Sequence, residues 1–124
     1  MAVVLVIDDD AMACQLACVV LRHAGHDVHD ARSGTEGLRL VSALRPDVLL
    51  LDMHMPAMSG FEVVQRLRAM PGGADIRVLA VTGMAMLGDE AEIRRAGCDD
   101  YLTKPYAYRQ LLAVVEHLAT KSCR

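Results

Sequence analysis

Five short apolar runs recur along the chain, and between them the apolar positions widen to the three-and-four spacing of helices. Residues 3–7 (Val-Val-Leu-Val-Ile) and 48–51 (Val-Leu-Leu-Leu) are apolar without alternation, as strands covered on both faces are. Residues 27–31 are more polar, which befits a sheet edge, while 76–81 are rich in β-branched residues and Tyr101-Leu102 centres a short last strand. Helices fill the gaps. Asp10 is placed to cap a helix over 11–24 that Gly25 ends; Ser33 with Glu36 and Ser59 with Glu62 have capping-box spacing and open helices over 34–45 and 60–70. Leu38, Val41 and Leu44 share a face of the second helix, Pro46 closes it, and residues 71–73 (Pro-Gly-Gly) read as a loop. Asp89, with Glu92 three residues on, begins a fourth helix that Gly97 ends, and the last helix covers 106–119. Five strands alternating with five helices predict an α/β fold with a doubly wound parallel sheet, in one domain spanning 1–124.

The first helix is unusually apolar. Between Ala11 and Leu21 only Gln15 is polar, so one sheet-facing stripe cannot hold every apolar side chain, and some of Cys14, Cys18 and Val19 are expected to face outward. Small residues are harmless at a surface; a docking face for a partner helix is the sharper alternative.

Reactive side chains gather where the strands end. The first strand delivers Asp8 and Asp9, the third Asp52, the fourth Thr82-Gly83 and the fifth Lys104-Pro105. In an open parallel sheet, ligands collect outside the carboxyl ends of the strands, and in the flavodoxin-like order 2-1-3-4-5 the first and third strands flank the switch point. Their carboxylates then meet. Three carboxylates within about 5 Å repel by roughly 3 kcal/mol per pair at an effective dielectric near 20, and a divalent cation relieves this. Oxygen-only ligands favour Mg²⁺, which characteristically joins a few carboxylates to a phosphate. The crevice therefore reads as a phosphoryl-transfer site, with Asp52 as nucleophile, Lys104 as a point charge on a phosphoryl oxygen and Thr82 as a hydrogen-bond donor to another.

Composition narrows the alternatives. At 124 residues the chain can bury a core without disulfides or a structural metal. Its formal net charge of -3 carries no basic footprint for nucleic acid. The apolar start is too short for a signal peptide and no run reaches membrane-span length, so a cytoplasmic protein is expected. Cys14, Cys18, Cys98 and Cys123 show no CxxC spacing, and although Cys14 and Cys18 share a helix face, no third ligand lies near them in sequence, so reduced structural thiols are expected and zinc is discounted. The aromatics are few, Phe61, Tyr101, Tyr106 and Tyr108, which leaves aliphatic residues and Met to fill the core.

The ordered motifs Ile-Asp8-Asp9, Leu-Leu-Asp52-Met-His-Met-Pro56 with Met58-Ser59-Gly60, Thr82-Gly83 and Tyr101-Leu-Thr-Lys104-Pro105 resemble the receiver domains of two-component response regulators, over the whole length of the chain. The run Ala-Met-Leu-Gly-Asp at 85–89, with Ala96-Gly97-Cys98-Asp99, is more similar to single-domain, chemotaxis-regulator-like proteins and hybrid-kinase receivers than to transcription-factor receivers. The resemblance implies that Asp52 accepts a phosphoryl group from a sensor histidine kinase or a histidine phosphotransfer protein. It implies Mg²⁺ held by Asp9 and Asp52 directly, by the backbone carbonyl of His54, and by Asp8 through water. It further implies a cis Lys104-Pro105 peptide, a Thr82 that moves toward the phosphoryl oxygens, and a Tyr101 that turns from exposed to buried behind it.

Output is then expected through a downstream protein on the last two helices, from a monomer or weak dimer that binds neither nucleic acid nor membrane. The resemblance implies a domain that catalyses only its own phosphorylation and dephosphorylation. His54 and Met84, two positions after Asp52 and Thr82, are candidates to tune the lifetime of the acyl phosphate; His54 equally fits a surface residue offering only its carbonyl. The starting Met and polar 120–124 end fit a complete regulator slightly better than a receiver cut from a hybrid kinase or larger regulator. An aspartyl-phosphate hydrolase of haloacid dehalogenase type is the remaining alternative. It wants an Asp where His54 stands and a cap insertion that this chain lacks.

Overall fold

The computed structural model describes residues 2–83 and 89–120. Met84, the run 85–88, the side chain of Asp89, Cys123 and the rest of the 121–124 end, all invoked above, lie outside the described residues. The strands are β1 (Val3–Ile7), β2 (Asp27–Ala31), β3 (Val48–Asp52), β4 (Arg77–Thr82) and β5 (Asp100–Thr103); the helices are α1 (Ala11–His23), α2 (Gly34–Leu44), α3 (Gly60–Arg68), α4 (Asp89–Arg95) and α5 (Tyr108–Thr120). All strands pair in parallel, in the order β2-β1-β3-β4-β5.

Why the central strands are uniformly apolar is visible in the packing. Val4 and Val6 of β1 point to one face with Val48 and Leu50 of β3, and meet Cys14, Ala17, Cys18 and Leu21 of α1 and Leu111, Val115 and Leu118 of α5. Leu5, Ile7, Leu49 and Leu51 point to the other, against Val41 of α2, Val63, Val64 and Leu67 of α3 and Ile93 of α4. Apart from the half-buried Val3, each residue of β1 and β3 is thus buried whichever way it points. The edge strand β2 differs: Val28 and Ala31 are buried while Asp27 and Asp30 are exposed.

Local signals place the helix starts. Asp10 accepts hydrogen bonds from the backbone N–H groups of Met12 (3.0 Å) and Ala13 (3.3 Å), Ser33 from Glu36 (3.2 Å), and Ser59 from Glu62 (3.3 Å). The two capping boxes are incomplete in different ways. Glu36 reaches back one residue further than expected, to the N–H of Arg32 (2.9 Å), and Glu62 turns outward to pair with Arg66 (3.0 Å). Helix ends differ from expectation by a residue or two: α1 stops at His23 with Gly25 at φ +96°, α3 stops at Arg68, and α5 starts at Tyr108. The 71–73 loop leads into a 3-10 turn, Gly73–Asp75.

Of Cys14, Cys18 and Val19, some of which were expected to face outward from α1, only Val19 does. Cys14 and Cys18 do not face outward; they are buried with Ala17 and Leu21 as an i, i+3, i+4, i+7 stripe against the sheet. The outward residues are Met12, Leu16 and Val19, which are 70%, 44% and 55% exposed. A free Cys behaves as a small hydrophobe, so the stripe chose sulfur over the bulkier aliphatics.

Candidate functional site

β1 and β3 are neighbours in register, Ile7 opposite Leu51, so the residues that follow them emerge side by side. Asp8 and Asp52 are both buried, Asp9 is exposed, and ligand oxygens from the three lie within 4.8 Å of one another. The turns fix the carboxylates. Asp8 Oδ1 accepts from the N–H of Asp10 (2.9 Å), and Asp52 Oδ1 accepts from the N–H of His54 (3.0 Å). Lys104, carried to the same end by β5, sets its Nζ 3.0 Å from Asp8 Oδ2 and 3.7 Å from Asp52 Oδ2. The peptide that follows, Lys104–Pro105, is cis, and the Lys104 N–H donates to the carbonyl of Thr82 (2.7 Å), which ties the ends of β4 and β5 together.

Titration follows from this crowding. Burial raises the Asp52 carboxyl above the ordinary carboxylate range; the His54 N–H and the Lys104 charge oppose the rise, and Asp8 reinforces it. Burial alone would lower Lys104, but its hydrogen bond to Asp8 and the charges of Asp52 and Asp8 hold it above its usual value. The single ammonium of Lys104 lies against Asp8 and Asp52 while Asp9 adds a third carboxylate, so the cluster keeps an excess of negative charge lined with oxygen donors. That fits a hard divalent cation.

Thr82, fully buried, ends β4 beside the cluster, where β4 pairs with β3 through Asp52 and Val81. Its hydroxyl lies 3.0 Å from Nε2 of His54. That contact was missed in the sequence, although residues following paired strand ends were the signal for it; His54 offers more than a carbonyl. Gly83 is exposed, with open space where a Cβ would stand. Tyr101 does not reach the crevice. It is half-exposed on β5, its hydroxyl donates to Glu90, and the Arg94 guanidinium lies 5.9 Å from its ring centroid.

Two further residues shape the turn after Asp52. A Cβ on Gly60 would stand 2.6 Å from Cα of Met53 and 2.8 Å from the carbonyl oxygen of Asp52, so only glycine lets the start of α3 close against the strand end. Ala57 adopts φ +68°, a left-handed conformation rare for a residue with a Cβ, between Pro56 and a Met58 N–H that donates to the Pro56 carbonyl (2.7 Å).

A model of the family described as response regulator receiver domain matches residues 4–116. The chain belongs to that family. This receiver domain is 40% identical over 121 residues to the DNA-binding dual master transcriptional regulator RpaA of Synechocystis, covering 98% of the chain and 50% of that protein. The chain therefore spans about half the length of that relative. It is 33% identical over 113 residues to the polar-differentiation response regulator DivK of Brucella anthropi, covering 91% and 92% of the two chains. Among solved structures, Vibrio cholerae chemotaxis protein CheY4 superposes with a TM-score of 0.90 at 30% identity, over 95% of this chain and 98% of that one. The signal receiver domain of a Syntrophus aciditrophicus histidine kinase gives 0.90 at 27% identity, over 100% and 94%. These relatives fall on both sides of the subgroup boundary drawn from the sequence. The flavodoxin-like fold and its strand order are those expected.

Proposed function

We propose that this receiver domain takes a phosphoryl group on Asp52 from a histidine kinase or histidine phosphotransfer protein, and that its phosphorylation state sets which protein surface it presents. The observation that supports this best is the convergence of Asp8, Asp9 and Asp52 within 4.8 Å, with Lys104 Nζ against two of them. An Asp52 oxygen attacks phosphorus in line with the departing nitrogen, and the P–N bond breaks with its electron pair going to the imidazole, which takes up a proton. Lys104 is placed to hold the charge of a phosphoryl oxygen, and Thr82, released from His54, to donate to another.

Asp9 and Asp52, the His54 carbonyl and, through water, Asp8 would hold Mg²⁺, which when bound neutralises charge on the transferred group. Near-complete switching needs about 5.5 kcal/mol of differential stabilisation, within reach of charge-assisted bonds from Lys104 and Thr82 combined with partner binding. Tyr101, held outward on Glu90, is the residue whose inward turn would carry the change to the surface of α4, β5 and α5.

The phosphodonor's docking face is the exposed apolar row of α1. Leu16 lines an open groove of about 330 Å³ with Ala13, Lys104, Pro105, Tyr106 and Tyr108, so a helix seated there lies next to the crevice. Leu16→Glu and Val19→Glu should slow phosphotransfer from a kinase at least about tenfold while leaving phosphorylation by a small-molecule donor unchanged. Equal losses with both donors would remove α1 from the docking face. The site itself is tested by beryllofluoride with Mg²⁺. A rise in melting temperature that needs both ions and disappears in Asp52→Ala is expected; the same rise in Asp52→Ala would refute the assignment.

A further inference from the structure

Among the described residues, a second cluster of metal-ligating side chains lies outside the acidic crevice: Cys14 and Cys18 on α1 and Asp30 on β2 offer ligand atoms within 4.8 Å of one another. The sequence hid the third member, because Asp30 is remote from the thiols along the chain. β2 brings it back. Asp30 shares a strand face with Val28, which packs against α1, and its carboxylate Oδ2 stands 3.7 Å from the Cys14 sulfur.

We propose that Cys14, Cys18 and Asp30 form a zinc site, with water as the fourth ligand, that staples α1 to the edge strand. Atoms bound at 2.0–2.3 Å to a tetrahedral ion stand about 3.3–3.8 Å apart. The Cys14–Asp30 separation is already in that interval, and the other pairs need close by no more than about 1 Å to reach it. Two thiolates and one carboxylate select a borderline-soft ion rather than the Mg²⁺ suited to the oxygen-only crevice.

The Cys14 thiol already donates to Asp30 Oδ2 (3.7 Å). Zinc would displace that proton and the one on Cys18 into solvent. The approach is from the sheet edge: both cysteines are buried, whereas the Asp30 side chain is 44% exposed and its only ion-pair partner within 4.0 Å among the described residues is Arg32, at that limit.

Titration of the reduced wild-type chain with Co²⁺, in excess Mg²⁺ to fill the acidic crevice, reads sulfur coordination directly through the thiolate-to-cobalt charge-transfer band. One Co²⁺ per chain with that band, displaced by one Zn²⁺, is expected. The band should vanish in Cys14→Ser and Cys18→Ser, persist in Cys98→Ser and Cys123→Ser, and form at least about tenfold more weakly in Asp30→Asn. Asp30 is at the surface, so its variant tests the site even where a buried cysteine substitution prevents folding. No thiolate band in the wild type, a band that survives loss of Cys14 or Cys18, or full affinity in Asp30→Asn would overturn the proposal.

Discussion

Asp52 carries an electrostatic burden that has a thermodynamic signature. Its folded pKa is raised by burial, so the native chain keeps that proton to a higher pH than the unfolded chain does. The associated stability is fully present below the ordinary carboxylate range and is lost as pH rises through the raised value. In metal-free buffer, Asp52→Asn should therefore gain stability over the wild type progressively as pH climbs from that range toward neutrality. Urea denaturation across pH measures this, and a constant difference would contradict it. Ala57 tells a similar story in the backbone: Ala57→Gly removes the left-handed penalty and should raise stability by up to about 1 kcal/mol. At this scale the sequence was informative about chemistry and uninformative about conformation. Asp8, Asp52, Thr82 and Lys104 announced themselves by ending apolar runs, whereas nothing local marks Ala57 as left-handed or aims the His54 ring at Thr82.

Elements are joined by a few residues that sequence patterns pass over. Arg68, at the end of α3, donates to the carbonyls of Gly73 (2.6 Å), Ile76 (2.7 Å) and Gly97 (2.7 Å) and pairs with Asp99 (3.3 Å), binding α3 to the turn before β4 and the loop before β5. Arg68→Ala takes this donor from the carbonyls of Ile76 and Gly97 and leaves Gly73 with only the Ile76 N–H (3.4 Å), and should cost about 2–4 kcal/mol in thermal or urea unfolding. Gly60→Ala should cost about 1–3 kcal/mol and, because the clash falls on the backbone of Met53 and Asp52, should also slow phosphorylation. A surface-like loss in either would refute the role given to it. Helix existence and strand count were legible here because both rest on periodicity. The burial of Cys14 and Cys18 was not: α1 has more apolar residues than its buried stripe can hold, and only packing decides which are left outside.

For the molecule as a whole, parallel order does the functional work. Placing β1 between β2 and β3 brings Asp8 and Asp9 to Asp52, and running β5 beside β4 brings Lys104 across to face them. The order was legible only through the family motifs, since alternation of strands and helices alone admits others. If this crevice is a cation-assisted phosphoryl acceptor, intact mass after incubation with acetyl phosphate reads it out in one step. One added phosphoryl group is predicted for the wild type with Mg²⁺, and none without Mg²⁺ or in Asp52→Ala. An adduct that forms without Mg²⁺, or that persists in Asp52→Ala, would contradict the account.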